Sequence, residues 1–204
     1  MAVIHEATLT PGKLDAISAW LPGQPWSGVG TRTAVEQVGR FRFDDPDGEV
    51  GVETYLVRAG DGPLLHVPLT YRGAPLAGAG PFLVTEMEHS VLGHRWVYDA
   101  VGDPVYADVL RRAIATGGHE ADLQRASGDG TVEKEGRASG SGADAESPTV
   151  TEVTVHTEGT TTTITTGHGA VAVLRVLGGP IPAGATLTAG WGVDRSAVVA
   201  VLLA

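Results

Sequence analysis

The chain has 204 residues, of which 14 are lysine or arginine and 24 are aspartate or glutamate, and it contains no cysteine. Its length and its 42% of hydrophobic residues suit one large globular domain or two small ones. The absence of cysteine excludes disulfides, thiolate metal sites and cysteine nucleophiles, and the net charge of −10 argues against nucleic acid or an anionic membrane as the main partner. We find no secretory signal and no apolar stretch long enough to span a membrane, so we expect a cytoplasmic protein.

A weakly alternating segment and a helix pattern begin the chain. Residues 2–9 place apolar side chains on one side and suit a first strand. Thr10 and Pro11 form a good helix start, because Thr is a preferred N-cap residue and Pro fits the first helical position. Apolar residues then recur at helical spacing as far as Leu21, and Pro22 ends the predicted helix.

Strand patterns separated by short turns follow this helix. Because two short turns between consecutive strands favour neighbours that run in opposite directions, we predict an antiparallel meander. Asp103 and Pro104 then begin a second helix that runs to about residue 115. The predicted strands cover residues 33–43, 50–59, 64–71 and 82–89.

A stretch rich in glycine and serine divides the sequence. Residues 127–147 contain no aromatic residue, so the stretch cannot bury enough apolar surface to offset the entropy of ordering it. We therefore predict an α+β domain over residues 1–117, a flexible linker or long loop over 118–148, and a small all-β unit over 149–204. The predicted strands of that unit cover residues 150–156, 160–166, 170–177, 186–191 and 197–203.

Phosphate-binding motifs are absent from the sequence. It has neither a P-loop nor a glycine-rich dinucleotide motif between a strand and a helix. Its two lysines, Lys13 and Lys134, fall on the predicted first helix and in the predicted linker rather than on a strand, where a kinase-type lysine would pair with nucleotide phosphates. We expect no autonomous kinase activity. The acidic run 44–49 resembles a calcium loop in composition only, and its proline and glycine favour a hairpin turn.

The densest group of polar residues lies between residues 86 and 99. Glu86 and Glu88 share one face of the predicted strand, and His89 points to the other. Together with His94, these groups could perform acid–base chemistry, with or without a divalent metal. The spacing contains neither H-x-x-x-H nor H-E-x-x-H, which favours a polar strand end over a metal site. In this plainer interpretation the neighbouring residues are structural, namely Arg95, paired with an acid, and Trp96 and Tyr98, packed in the core.

Three blocks of sequence carry a resemblance to a known family. The first comprises Ala16, Trp20, Leu21, Pro22, Gln24 and Trp26. The second joins residues 67–72 to 88–93, and the third, the most distinctive, joins residues 95–100 to 102–106. Together they resemble the N-terminal cap domain of bacterial maltokinases over about residues 1–117. The resemblance implies a curved antiparallel sheet with packed helices, described in that family as cystatin-like.

In full-length maltokinases this cap precedes an intermediate lobe and a catalytic lobe. The resemblance implies that the strand-rich tail, with residues 167–175, is a remnant of the intermediate lobe. The family's strand lysine has no counterpart in this sequence, because Leu174 and Arg175 occupy its neighbourhood. No part of this sequence corresponds to the catalytic lobe, so the kinase activity and its catalytic residues are not carried over.

These observations lead us to expect a bacterial, stand-alone and non-catalytic module that binds a protein partner or a small carbohydrate-type ligand, linked to maltose, trehalose or glycogen metabolism and needing no cofactor or metal. The alternative is a small carbohydrate-active or metal-assisted enzyme that uses Glu86 or Glu88 with His89 or His94. A homodimer formed through the apolar tail strand 198–203 is a further alternative. The expected binding or signature residues are Glu88, His89, Arg95, Trp96, Tyr98, Asp99 and Asp103.

Overall fold

The computed structural model describes residues 2–4, 7–125 and 134–204. It confirms the predicted α+β class, because a curled, six-stranded antiparallel half-barrel with two helices is followed by a second six-stranded antiparallel sheet. The helices are α1 (Lys13–Trp20) and α2 (Pro104–Ala115), and within the described residues no helix is long and apolar enough to cross a membrane. In chain order, the strands are β1 (Ala2–Ile4), β2 (Leu9–Thr10), β3 (Val35–Phe43), β4 (Gly51–Ala59), β5 (Leu64–Arg72), β6 (Leu83–His89), β7 (Gly93–Asp99), β8 (Leu123–Arg125), β9 (Arg137–Gly140), β10 (Thr154–Glu158), β11 (Thr161–Thr166), β12 (Gly169–Leu174), β13 (Gly184–Trp191) and β14 (Arg195–Leu203).

The first sheet orders its strands β2-β6-β7-β5-β4-β3. The predicted meander is confirmed, since β3 pairs antiparallel with β4 and β4 with β5. Gly60 and Gly93 adopt positive φ angles of 56° and 73° in two of the turns, a conformation that glycine tolerates best. Strand β7 was not predicted. It forms because the turn at Gly93 closes a hairpin in which Glu88 lies opposite His94.

Helix α1 begins at Lys13, later than the predicted start at Thr10 and Pro11. The backbone is still extended at Thr10, which pairs with Glu88 of β6 as part of β2. The helix buries Ala16 and Ile17 against one face of the first sheet, which we call the α1 face. The apolar side chains of that face are Tyr55, Val57, Leu65, Val67, Leu69, Met87 and Val97.

Helix α2 and the second sheet share one apolar core with the other face of the first sheet. The predicted start of α2 is confirmed, because the side chain of Asp103 accepts a hydrogen bond from the Val105 backbone N–H at 3.0 Å. The second sheet orders its strands β10-β11-β12-β14-β13-β9. Buried members of the shared core include Phe41, Phe43, Leu56, Leu110, Ile114, Val173, Leu187 and Val199.

The two sheets are also joined through their backbones. Strand β7 pairs with residues 69–72 of β5, and residues 174–177 lie along the preceding part of the same strand. The His66 N–H donates to the Arg175 carbonyl and the Leu177 N–H donates to the Leu64 carbonyl, both at 2.9 Å. The tail strand β14 is likewise committed within its sheet, since residues 200–202 pair with both β12 and β13. These residues therefore offer no open edge to a second copy, and the homodimer stays a prediction.

Parts of the predicted linker belong to sheets. Strand β8 pairs with β1, and β9 pairs with β13. The buried carboxylate of Glu120 fixes this region, because it accepts hydrogen bonds from the Ala138 N–H at 2.8 Å and from Lys134 at 2.7 Å. Residues 126–133 of the predicted linker lie outside the described residues. The division at 1–117, 118–148 and 149–204 stays a prediction.

Candidate functional site

A cavity of about 500 Å³ opens on the α1 face, beside the start of the helix. Side chains and backbone from β2 to β7 line it, and the turn at residues 44–49 forms part of its rim. This volume is within the range of small-molecule sites in proteins. The lining mixes apolar residues with charged ones, among them Lys13, Arg40, Arg42, Glu53 and Arg95.

Strand register brings the polar residues of this cavity together. Arg42 on β3 lies opposite Glu53 on β4, and Arg40 lies opposite Tyr55. On the next pair of strands, Gly51 lies opposite Tyr71. A Cβ atom at position 51 would approach the Tyr71 Cβ to 3.4 Å, so glycine keeps the space beside the tyrosine open.

A partly buried ion pair anchors α1 to the floor of the cavity. The Lys13 ammonium lies 2.7 Å from Oε2 of Glu53, and the Tyr55 hydroxyl donates to the same oxygen at 2.6 Å. Burial by itself would raise the pKa of the Glu53 carboxyl, but the charge of Lys13 and the hydrogen bonds from Lys13 and Tyr55 outweigh it and lower the pKa to about 2. Glu53 is therefore ionised at neutral pH.

Three hydrogen-bonding groups at the cavity are buried without a partner. Among the described residues, no hydrogen bond of good geometry reaches the Nε of Arg42, the Nε of Arg95 or the hydroxyl of Tyr71, which lies beside the Tyr55 hydroxyl. Burial, with the neighbouring Tyr55 and Glu53, raises the pKa of the Tyr71 hydroxyl well above its usual value, so the group keeps its proton and can donate. Buried polar groups normally have partners, and these three are therefore positioned to meet a bound molecule.

Most carboxylates in the lining are already engaged. Asp45 accepts from the backbone N–H groups of residues 47, 49 and 50 at 2.8 to 3.1 Å and so holds the rim turn together. Glu135 accepts from Arg40 at 2.9 Å and also from Gln37. The cavity thus presents buried donors without a partner beside carboxylates of which most are engaged.

The predicted group Glu86, Glu88 and His94 lies outside this cavity. The structure brings the three together, with His94 Nδ1 2.6 Å from Oε1 of Glu88 and Nε2 2.8 Å from Oε2 of Glu86. Their side chains are 52%, 69% and 37% exposed, respectively. The hydrogen bonds from Glu88 and then Glu86 raise the pKa of the His94 imidazole. No group of three or more acidic or histidine residues in the described ranges is arranged to hold a metal ion.

The fourth residue of the predicted group, His89, is separate from the other three. It borders the α1-face cavity, and its Nδ1 accepts from the backbone N–H groups of Val91 and Leu92 at 3.2 and 3.1 Å. This arrangement caps the β6–β7 turn. Trp96, a predicted signature residue, packs edge-on against His94 with the ring centres 4.5 Å apart.

The remaining predicted residues make structural contacts. The backbone N–H of Leu76 donates to the Tyr98 hydroxyl at 3.0 Å. Asp103 receives two hydrogen bonds of 2.7 Å from Arg72 while capping α2. Asp99 forms a bidentate ion pair with Arg175, the residue that follows β12 of the second sheet. Arg95, expected to pair with an acid, instead donates to the Leu92 carbonyl and reaches the cavity.

Sequence reasoning missed Arg42, Glu53 and Tyr71 as site residues. A signal was available in the strand pattern, because Arg42 lies between Phe41 and Phe43 and therefore points to the opposite face. That face could not be placed beside Glu53 or Tyr71 without the register between the strands.

Comparison with known proteins identifies part of the chain. Residues 20–103 match the family model of the maltokinase N-terminal cap domain. The match contains Arg42, Glu53, Tyr71 and Arg95 but neither Lys13 nor the second sheet. No curated protein matches the chain.

Proposed function

We propose that this protein, whose residues 20–103 match the family model of the maltokinase N-terminal cap domain, is a non-catalytic binding module that holds a small polar ligand in the cavity of the α1 face. The observation that carries the proposal is the set of three buried groups without partners, Arg42 Nε, Arg95 Nε and the Tyr71 hydroxyl, at one cavity. Leaving such groups unsatisfied costs about 1–3 kcal/mol each, a penalty that a ligand with acceptor atoms would remove.

The charge state of the cavity supports binding over catalysis. A general acid or base works best when its pKa lies near the working pH. Glu53 is the most deeply buried carboxylate of the lining, and its pKa of about 2 makes it a poor proton donor or acceptor at pH 7. The alternative enzyme would use Glu86, Glu88 and His94, which are exposed and line none of the principal cavities.

The family match is the only support for a link to maltose, trehalose or glycogen metabolism. A carbohydrate-type ligand and a protein partner were both expected from the sequence, and a cavity of about 500 Å³ suits the former. We therefore place the small ligand first, and a protein partner would be the outcome if no small molecule binds.

Thermal unfolding of the full chain with a ligand panel tests the proposal. The panel contains maltose, trehalose, glucosamine, sugar phosphates and inorganic phosphate. A ligand at one hundred times its Kd adds about 2.7 kcal/mol to the free energy of unfolding, which raises Tm by about 5–10 °C in a chain of this size. We expect at least one compound to do so.

Matched variants locate the binding. Tyr71→Phe and Arg42→Gln should abolish most of the Tm shift, since each removes one of the donors without a partner. Arg58→Gln is the control, because Arg58 is a strand arginine that donates to the Gly62 carbonyl at 3.1 Å and does not line the cavity. A panel without any shift, or a shift that Tyr71→Phe and Arg42→Gln leave intact, would refute the proposed function.

A further inference from the structure

We infer that the ligand of the α1-face cavity carries an oxyanion, a carboxylate or a phosphate group, which Arg42 and Arg95 bind with the Tyr71 hydroxyl as a third donor. The inference rests on the proposed function and deepens it by naming the chemical class that the cavity selects. The lining contains five carboxylates and four cationic side chains, so the support comes from which of these charges have partners and not from the net charge.

Four cationic side chains line the cavity, and two of them have close acidic partners. Lys13 lies 2.7 Å from Glu53, and Arg40 lies 2.9 Å from Glu135. Arg42 has no such close partner. Its nearest carboxylate oxygen among the described residues, Oε1 of Glu53, is 4.0 Å away, and Glu53 already pairs with Lys13. Among the described residues, no carboxylate lies within 4.0 Å of the Arg95 guanidinium, which binds only a backbone carbonyl.

Most carboxylate acceptors of the cavity, unlike Arg42 and Arg95, already have close hydrogen-bonding partners. Both oxygens of Asp45 accept backbone N–H groups, both oxygens of Glu135 accept side-chain donors, and Glu53 accepts two donors on one oxygen. Asp44 also has an interaction partner. Glu49 lies on the rim turn and is exposed to solvent.

A neutral sugar fits this pattern less well than an oxyanion. Each sugar hydroxyl must donate as well as accept, and in this lining Asp45 and Glu135 already accept hydrogen bonds on both carboxylate oxygens. An oxyanion only accepts, and a guanidinium presents its N–H groups in a planar fork that matches carboxylate and phosphate oxygens. Partial burial strengthens such charge-assisted bonds relative to bulk water.

Isothermal titration of the full chain with three probes tests the inference. The probes are inorganic phosphate, malonate and maltose, at one pH and with ionic strength matched by sodium chloride. We expect phosphate or malonate to bind more tightly than maltose. Binding of phosphate alone would indicate a phosphoryl ligand, and binding of malonate alone a carboxylate ligand.

Single variants then assign the anion to its donors. Arg42→Gln and Arg95→Gln should each raise the Kd of the bound anion by about tenfold or more, since each removes charge-assisted hydrogen bonds. Arg95→Lys keeps the charge but not the fork and should restore only part of the affinity. Arg58→Gln, outside the cavity, should leave the Kd within about twofold of the unsubstituted chain.

Failure of the inference and failure of the proposed function give different results. If maltose binds more tightly than both anions and Tyr71→Phe weakens it, the oxyanion inference is wrong and the binding module stands. If none of the three probes binds, the oxyanion inference is wrong, and the proposed function also fails only when no compound of the thermal-unfolding panel binds. If Tyr71→Phe, Arg42→Gln and Arg95→Gln leave every affinity unchanged, both are wrong.

Discussion

The guanidinium of Arg175 and the carboxylate of Asp99 form a bidentate ion pair, with Nη1–Oδ1 and Nη2–Oδ2 distances of 3.0 and 2.6 Å, across the junction between the two sheets. Arg175 is 1% exposed, donates a third hydrogen bond to Thr162 at 2.9 Å and lies 4.9 Å from the ring centre of Trp26. The side chain is thus satisfied on every side, and it ties the second sheet to the end of β7.

We predict strong energetic coupling between these two residues. Arg175→Met or Asp99→Leu alone should lower the free energy of unfolding by about 3–5 kcal/mol, because each leaves the other charge buried and unpaired. The double variant should lose clearly less than the sum of the two, since it leaves no unpaired charge. Urea unfolding of the four proteins gives the coupling energy directly.

An exposed arginine of the same sheet is the control for this cycle. Arg195→Met should change stability by less than about 0.5 kcal/mol, because Arg195 is exposed. Additive losses in the double variant would show that the ion pair is not the link between the two sheets.

Glu53 should make the stability of the protein depend on pH in the acid range. Its folded pKa of about 2 lies below the ordinary value of 4.5, so the stability that ionised Glu53 contributes is complete above pH 4.5 and is lost as the pH falls toward 2. The shift corresponds to roughly 3 kcal/mol. The stability difference between the unsubstituted chain and Glu53→Gln, measured by urea unfolding, should therefore shrink between pH 5 and pH 2.5.

His66 also lowers the stability as the pH falls, over a pH range that overlaps with that of Glu53. The stability difference between the unsubstituted chain and Glu53→Gln is therefore the quantity to measure. Burial, and then the charge of Arg175, lowers the pKa of its imidazole from 6.5 to about 3. The stability that the neutral His66 imidazole contributes is complete above pH 6.5 and is lost as the pH falls from 6.5 to about 3. Both chains contain His66, so its effect cancels. A Glu53→Gln difference that stays constant from pH 7 to pH 2.5 would contradict the assigned role of Glu53.

The α+β class, the meander and the N-cap of α2 followed from the sequence because they depend on local patterns. The strand-forming segments between short turns predicted β3 to β5, and Asp103 before Pro104 predicted the start of α2. The cavity did not follow, since it depends on which residue of β3 faces which residue of β4. The neighbours of Arg42 are chosen by a register that includes a bulge between Gln37 and Gly39.

The same limit explains the group around His94. Sequence spacing placed Glu86 and Glu88 on one face of a strand, as observed, but the partner strand β7 was needed to bring His94 between them. The sequence spacing also could not show that the face of β6 with Glu86 and Glu88 is exposed to solvent. Composition predicted a flexible linker or a long loop over residues 118–148, and it could not show that β9, within that stretch, pairs with β13 and that Gly140 closely approaches α2.

His94 should titrate above its ordinary pKa of 6.5, and Glu88 should raise that pKa more than Glu86 does. The hydrogen bond with Glu88 is the larger of the two causes of the raised pKa. Titration of the His94 ring protons by NMR should therefore show a larger fall in pKa for Glu88→Gln than for Glu86→Gln. Glu152→Gln, at an exposed carboxylate in the segment before β10, serves as the control. Equal pKa values in all four proteins would mean that the two carboxylates do not hold the imidazole in solution.

Gly140 should tolerate no side chain, although it lies in the stretch whose composition suggests a linker. A Cβ atom there would lie 1.8 Å from the carbonyl oxygen of Ala113, and β9 is held by the hydrogen bond from the Gly140 N–H to the Gly118 carbonyl at 2.8 Å. Because the obstacle is the backbone of α2, neither element can yield without losing hydrogen bonds. We expect Gly140→Ala to lower the free energy of unfolding by about 3 kcal/mol or to prevent folding.

The control for this substitution is Gly167→Ala, at a turn glycine with no atom within 4 Å of the added Cβ. It should shift Tm by no more than a degree or two, because the new methyl group meets only open space. Circular dichroism melts of the two variants give the comparison. A Gly140→Ala chain as stable as the Gly167→Ala chain would mean that residues 137–140 are not packed against α2, and that this part of the sequence behaves as the linker its composition suggests.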